Sequence, residues 1–213
     1  MPRTTVLLAD DHKMFLEGLQ QILPQHCTLL GTVHDGQALL DAEARLHPQV
    51  IITDISMPTL GGIEAARLLR RRGSRAKVIV LSMHADREFA TEALRAGARG
   101  YVLKTSAGEE LVTAIRDVMD GKLYVAPAIS RGEMFAFEAA FREPEVQRDR
   151  LTVREREVLR LASEGKALKE IASDLGVAVR TVVFHKSNMM EKLGLRTTAE
   201  LTRYAVKHGM ITV

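Results

Sequence analysis

The 213-residue sequence has 46% hydrophobic and 27% charged residues, a globular composition that excludes a disordered or collagenous chain. Its longest apolar runs, such as Val78-Ile79-Val80-Leu81, fall far short of the roughly 20 residues that a membrane-crossing helix needs. The net charge of +3 is unevenly spread: residues 1–120 carry 14 Lys/Arg against 15 Asp/Glu, residues 121–149 carry 4 against 5, and residues 150–213 carry 12 against 7. A single cysteine, Cys27, can neither close an internal disulfide nor build a thiolate metal site. The first residues, Met1-Pro2-Arg3-Thr4-Thr5, show no signal-peptide apolar block, so a cytoplasmic protein without membrane contact is expected. A basic module behind a near-neutral one fits a partner rich in phosphates, although a solvated charged surface gives the same count.

In chain order, short β-branched runs alternate with helical periodicities through residue 120. The strand candidates are Thr5–Ala9, Thr28–Gly31, Val50–Thr53, Val78–Leu81 and Gly100–Leu103. Between and after them, apolar residues recur at three- or four-residue spacing, as at Leu16, Leu19 and Leu23, or Leu111, Ile115 and Met119. Five βα units predict an α/β fold, a doubly wound five-stranded parallel sheet with its site at the carboxyl ends of the strands. Residues 121–149, punctuated by Gly121, Pro127, Gly132 and Pro144, read as a linker with one helix. That helix holds Phe135, Phe137 and Phe141, which need cover from one domain or from a second chain. From residue 150 to 213 the pattern is all helix, with Arg154–Ser163, Leu168–Leu175, Val179–Leu193 and Thr198–Lys207 stopped by Gly165, Gly176 and Gly194.

The chemistry-bearing side chains stand immediately after the strands. Asp10 and Asp11 come after the first, Asp54 after the third, Ser82 after the fourth and Lys104 after the fifth, so a parallel sheet gathers all five at one edge. Singly, each has a structural explanation as a helix cap or turn brace. Together, three carboxylates repel one another unless a cation intervenes. A magnesium ion suits such oxygen ligands, Lys104 supplies a point charge for a phosphate, and Ser82 supplies a hydroxyl. Asp54, alone at its strand end, is the candidate nucleophile that forms an aspartyl phosphate, with Asp10 and Asp11 as metal platform. The same chemistry serves a phosphatase or a protein that keeps the phosphate as a signal.

Residues 1–120 resemble the receiver domain of bacterial two-component response regulators, a flavodoxin-like fold, through Asp10-Asp11, Asp54-Ile55-Ser56-Met57-Pro58, Gly61-Gly62, Ser82 and Gly100-Tyr101-Val102-Leu103-Lys104. The resemblance implies a histidine kinase as donor to Asp54. It implies magnesium held by Asp10, Asp11, Asp54 and the main-chain carbonyl of Ser56, and a switch in which Ser82 and Tyr101 move together. Many receivers have a cis proline after the lysine. Here Thr105 takes that place, and a cis bond to a non-proline residue costs roughly 2.5–4 kcal/mol.

The helical tail contains Leu168–Val177 and then Val179-Arg180-Thr181-Val182, the spacing of a helix-turn-helix. Val182, Met189 and Leu193 form the expected buried stripe of its second helix. Arg180, Thr181, Val183, Phe184, Ser187 and Asn188 are expected to be more exposed. The tail resembles the LuxR-type DNA-binding domain through Leu151-Thr152, Arg154–Leu159, Lys169–Ala172, Thr181-Val182, His185 and Lys192-Leu193-Gly194, which makes the whole chain similar to the NarL/FixJ-type response regulators. The resemblance implies that the second helix reads double-stranded DNA and that the last helix, around Leu201, Tyr204 and Ala205, pairs two domains in an active homodimer. Many relatives carry basic residues where Val183 and Ser187 stand. Val183 and Phe184 are therefore expected to meet thymine methyls, with Ser187 as a permissive donor and Arg180, His185, Lys186 and Lys192 on phosphates. The leading expectation is a phosphorylation-controlled transcription factor without enzymatic turnover. The rivals are a DNA-binding regulator controlled by protein contacts and a magnesium-dependent phosphatase, for which a second general acid two residues from Asp54 and a cap insertion are missing.

Overall fold

Residues 3–142 and 151–207 are described by the computed structural model. The chain divides into two units, residues 1–143 and 144–213, and each is described by itself. The expected boundary at residues 149 and 150 lies outside the described residues.

In the first unit the apolar runs become parallel strands: β1 (Thr5–Ala9), β2 (Thr28–Val33), β3 (Val50–Asp54), β4 (Lys77–Ser82), β5 (Gly100–Leu103) and β6 (Tyr124–Val125). The intervening helices are α1 (Lys13–Ile22), α2 (Gly36–Leu46), α3 (Gly62–Arg71), α4 (Arg87–Ala96) and α5 (Ala107–Met119). Strand order is β2-β1-β3-β4-β5-β6, so the chain reverses direction across the sheet between β1 and β3, the position where doubly wound sheets place their sites. Strands β3 and β5 are buried throughout, which accounts for the apolar runs Val50-Ile51-Ile52 and Tyr101-Val102-Leu103: helices cover both faces. On one face Val6, Leu8, Val50, Ile52, Ile79, Leu81 and Val102 meet Leu16 and Leu19 of α1 and Leu111, Ala114, Ile115 and Val118 of α5. No helix among the described residues is long and apolar enough to cross a membrane.

The sheet has six strands where five are expected from sequence. Tyr124 and Val125 pair with Gly100 and Tyr101, and a two-residue strand is too short to leave a periodic signal. The segment after residue 120 thus adds to the first unit. Beyond β6 come α6 (Pro127–Ser130) and α7 (Met134–Arg142), both packed against α4. Phe137 is 1% exposed there, with the Arg87 guanidinium 5.2 Å from its ring centroid. Arg99 lies 4.9 Å over the ring of Phe141, whereas Phe135 points away and is 82% exposed.

The second unit holds α8 (Val153–Ser163), α9 (Leu168–Leu175), α10 (Val179–Lys192) and α11 (Thr198–Lys207). Thr152 opens α8 with a capping box: its hydroxyl accepts from the Glu155 amide, and the Glu155 carboxylate accepts from the Thr152 amide. Gly176 ends α9 at φ 64°, the left-handed geometry in which a side chain is strained, and thereby sets the turn into α10. The core joins Val158, Leu159 and Leu161 of α8, Ile171 of α9, Val182 and Met189 of α10, and Leu201 and Ala205 of α11.

Candidate functional site

The expected carboxylates converge at the β1/β3 reversal. Asp10, directly after β1, is 1% exposed, and Asp54, the last residue of β3, is 4% exposed. Lys104, directly after β5, reaches across to both: its Nζ lies 2.7 Å from Asp10 Oδ2 and 2.8 Å from Asp54 Oδ2. The Lys104–Thr105 bond is trans, and Lys104 opens a 3-10 turn, Lys104–Ser106. The lysine thus reaches the carboxylates with no cis bond. Its ammonium also rests 5.0 Å from the Phe15 ring centroid. Burial is the main force raising the Asp54 carboxyl above its ordinary range; Lys104 lowers it and Asp10 raises it further.

Local backbone chemistry fixes this edge. The loop after Asp54 doubles back so that the Gly62 amide donates to the Ile55 carbonyl at 3.1 Å. A Cβ on Gly62 would stand 2.0 Å from the Asp54 carbonyl oxygen, so only glycine allows α3 to start there. Ser56, the expected carbonyl ligand, is exposed in this loop. Asp11, with 34% of its side chain exposed, completes the carboxylate trio. Ligand atoms of Asp10, Asp11, His12 and Asp54 all lie within 4.8 Å of one another. This oxygen-rich set, with Asp10 Oδ2 lacking an aligned hydrogen bond despite its ion pair to Lys104, fits a hard divalent cation.

Ser82 and Tyr101 stand on neighbouring strands beside this pocket, and both are wholly buried. The Tyr101 hydroxyl donates to the His84 carbonyl at 2.9 Å, and the His84 amide donates to Ser82 Oγ at 2.9 Å. The His84 ring stacks on Phe89 of α4 with centroids 4.5 Å apart. The first residue of α4, Arg87, covers Phe137 and forms an ion pair with Glu133 just before α7. His12 and His84 stand at no metal-ligand spacing in the sequence and would be expected at the surface; folding alone brings them to the site. Arg67 belongs to a run of arginines, with Arg70, Arg71, Arg72 and Arg75 in and after α3, that the sequence alone would place on a solvated basic face; it is instead buried between Glu64 at 2.7 Å and Glu92 at 2.8 Å.

The second unit corrects several expected DNA contacts. Arg180, Val183 and Ser187 of α10 are exposed along one stripe, with Phe184 half-buried beside them and Lys186 half-buried on the flank. Thr181, His185 and Asn188 are each less than a tenth exposed, facing inward between packed helices. Lys192 is also inside: its Nζ binds Glu155 Oε1 at 2.9 Å and Oε2 at 3.1 Å, with side chains 2% and 1% exposed. Thr181, His185 and Lys192 are therefore withdrawn as surface contacts. Of the expected pairing residues, Leu201 and Ala205 are spent in the unit's own core, and Tyr204 is half-buried against it.

The model of the response regulator receiver domain matches residues 6–116, and that of the bacterial regulatory proteins of the luxR family matches residues 149–205. The chain belongs to the response regulators. This regulator is 39% identical over 214 residues to the transcriptional regulatory protein MctR of Rhizobium johnstonii, covering 99% of this chain and 97% of that one. It is 30% identical to the response regulator UvrY of Escherichia coli, over 96% of this chain and 94% of that one. Among solved structures, the regulator resembles RcsB from Salmonella enterica serovar Typhimurium bound to a promoter in the presence of a phosphomimetic. The TM-score is 0.61 and the identity 31%, covering 95% of this chain and 97% of that one. The response regulator thus combines a receiver with a LuxR-type DNA-binding domain, and its relatives are transcriptional regulators of two-component systems.

Proposed function

We propose that Asp54 accepts a phosphoryl group from a histidine kinase and that the aspartyl phosphate controls DNA binding by α10 in a cytoplasmic homodimer. The observation that carries this reading is Lys104 Nζ lying 2.8 Å from Asp54 Oδ2 and 2.7 Å from Asp10 Oδ2, a buried cation poised beside one carboxylate that can attack. In the transfer, the donor's phosphorus–nitrogen bond breaks, an Asp54 oxygen–phosphorus bond forms, and the donor imidazole takes up a proton. Asp10, Asp11, Asp54 and the Ser56 carbonyl would hold magnesium, which neutralises charge on the transferred phosphoryl oxygens. Lys104 binds one of these oxygens, and the Ser82 hydroxyl donates to another.

A Ser82 hydroxyl drawn toward the new phosphate changes the acceptor available to the His84 amide. The effect reaches Tyr101 through the His84 carbonyl and α7 through Arg87. Phe137 and Phe141 hold α7 within the first unit, so the shift reaches this helix, and exposed Phe135 is a candidate contact to a second chain. In the second unit Arg180 and Lys186 hold phosphates, while Val183, Phe184 and Ser187 face base edges. Pairing of two such units uses the surface beside Tyr204.

Intact-mass spectrometry after incubation with a small phosphodonor, with and without magnesium, tests this in the wild type and Asp54→Asn, with sedimentation of the same samples. A magnesium-dependent phosphoryl adduct lost in the variant, together with a shift toward dimer, is expected. No adduct in either protein would sink the phosphoacceptor reading and favour control by protein contacts.

A further inference from the structure

The imidazole of His12 does something at the acidic pocket that the carboxylates alone do not explain. His12 occupies the N-cap of α1, a position that favours Ser, Thr, Asp or Asn, yet its side chain makes no capping hydrogen bond. Its Nδ1 turns instead into the carboxylates, 3.0 Å from Asp11 Oδ1, 3.2 Å from Asp10 Oδ1 and 3.8 Å from Asp54 Oδ2. The backbone beneath it is pinned. The His12 amide donates to Asp10 Oδ1 at 2.9 Å, and its carbonyl accepts from the Phe15 and Leu16 amides at 3.1 and 3.2 Å. The ring therefore hangs from a fixed anchor, with 67% of the side chain open to solvent.

These distances have a coordination meaning. In an octahedron with bonds of about 2.1 Å, adjacent donors stand about 3.0 Å apart and opposite donors about 4.2 Å apart. The separations of Nδ1 from the Asp10 and Asp11 oxygens are those of a hydrogen bond and an ion pair and equally those of adjacent corners, and its separation from Asp54 Oδ2 falls between the two values. Lys104 approaches Asp10 through Oδ2, so the Asp10 oxygen that faces His12 is the one the lysine leaves aside, whereas on Asp54 the same Oδ2 faces both. The ligand atoms of the three carboxylates and the imidazole lie within 4.8 Å of one another, a spread that must tighten by a few tenths of an ångström to fit an octahedron of this size.

We infer that His12 Nδ1 is a direct ligand of the divalent cation in this pocket, so that the site favours a nitrogen-accepting first-row ion such as Mn2+ over Mg2+. Magnesium takes oxygen donors and holds its waters, whereas imidazole suits Zn2+, Cu2+, Fe2+ and Ni2+ best and Mn2+, itself an oxygen-preferring ion, accepts it more readily than Mg2+ does. A histidine in the ligand set therefore raises affinity for these ions with little effect on Mg2+. This inference rests on the reading of the acidic pocket as a cation site.

The test uses the full-length protein with Mn2+ and Mg2+ as probes. Isothermal titration of the wild type, His12→Ala and His26→Gln compares the two ions, His26 lying in the turn after α1 and outside the pocket. Pulsed electron paramagnetic resonance of the Mn2+-loaded samples reads the ligand directly. The expected result is nitrogen modulation in the wild type and His26→Gln that disappears in His12→Ala. With it, Mn2+ affinity should fall about tenfold or more while Mg2+ affinity stays within about twofold. Mn2+ binding without nitrogen modulation, or equal weakening of both ions in His12→Ala, would overturn the assignment and leave the carboxylate site standing. If neither ion binds the wild type, the cation reading of the pocket fails along with it.

Discussion

Asp54 is a carboxylate that the fold holds against its preference. Burial raises it above its ordinary range, so the folded chain binds that proton more tightly than the unfolded chain does. Stability then falls as pH rises from the unfolded value through the folded one, and above both the penalty is complete. Asp54→Asn is expected to raise the denaturation midpoint at neutral pH, with the gain shrinking as the pH is lowered into the carboxylate range. Lys104→Met has the opposite sign. It strands two buried carboxylates and should lower stability by about 3 kcal/mol in urea titrations at neutral pH, the low end for breaking a buried pair. Asp10, Asp11, Asp54, Ser82 and Lys104 were legible in the sequence because each stands at or just beyond the end of an apolar strand and parallel pairing brings strand ends together. His12 and His84 were not, since what places them is the entry geometry of α1 and the loop before α4. Lys192 was misread for a related reason: its partner Glu155 lies 37 positions away, and a lysine near a helix end looks solvated until that partner is known.

At the scale of elements, α10 shows how far periodicity goes. Its heptad-like spacing picks out Val182 and Met189 correctly. A helix packed against both α8 and α9 buries a wider arc than one stripe, and that arc takes in Thr181, His185 and Asn188. What remains outside is narrow, and Arg180 is its cation. Arg180→Ala should weaken DNA binding across sequences and reduce the slope of log affinity against log salt by about one, measured by titrations at several salt concentrations. The Glu155–Lys192 pair ties the start of α8 to the end of α10 and serves the capping box as well. Glu155→Gln is expected to cost about 3–5 kcal/mol in chemical denaturation of the second unit, because it leaves Lys192 charged and buried. A parallel loss of DNA binding would result from unfolding, with no phosphate contact involved.

For the whole molecule, the segment after residue 120 separates what sequence could and could not supply. Its glycines and prolines read as a linker, and its phenylalanines correctly signalled a helix in need of cover. The cover proves to be α4 and the turn after it, through a buried Phe137 and two arginines that lie 42 and 50 positions before the rings they cover, and such distant contacts leave no local pattern. Phe137→Ala should cost about 3–5 kcal/mol if α7 behaves as part of the first unit's core, and hydrogen exchange should show faster opening of residues 134–142 than of the central strands. The two ends of the sheet are also unlike one another. The short β6 shields β5, which leaves β2 as the long border strand. There Val6 pairs with Leu29 and Leu7 with Gly31, so Leu30 is an extra residue that twists the border out of flatness. A flat border strand invites a neighbouring chain to add itself by backbone pairing, the first step of amyloid-like aggregation. The irregularity at Leu30 makes β2 a poor template for that addition, so self-association of this chain is steered toward side-chain surfaces and away from its open edge.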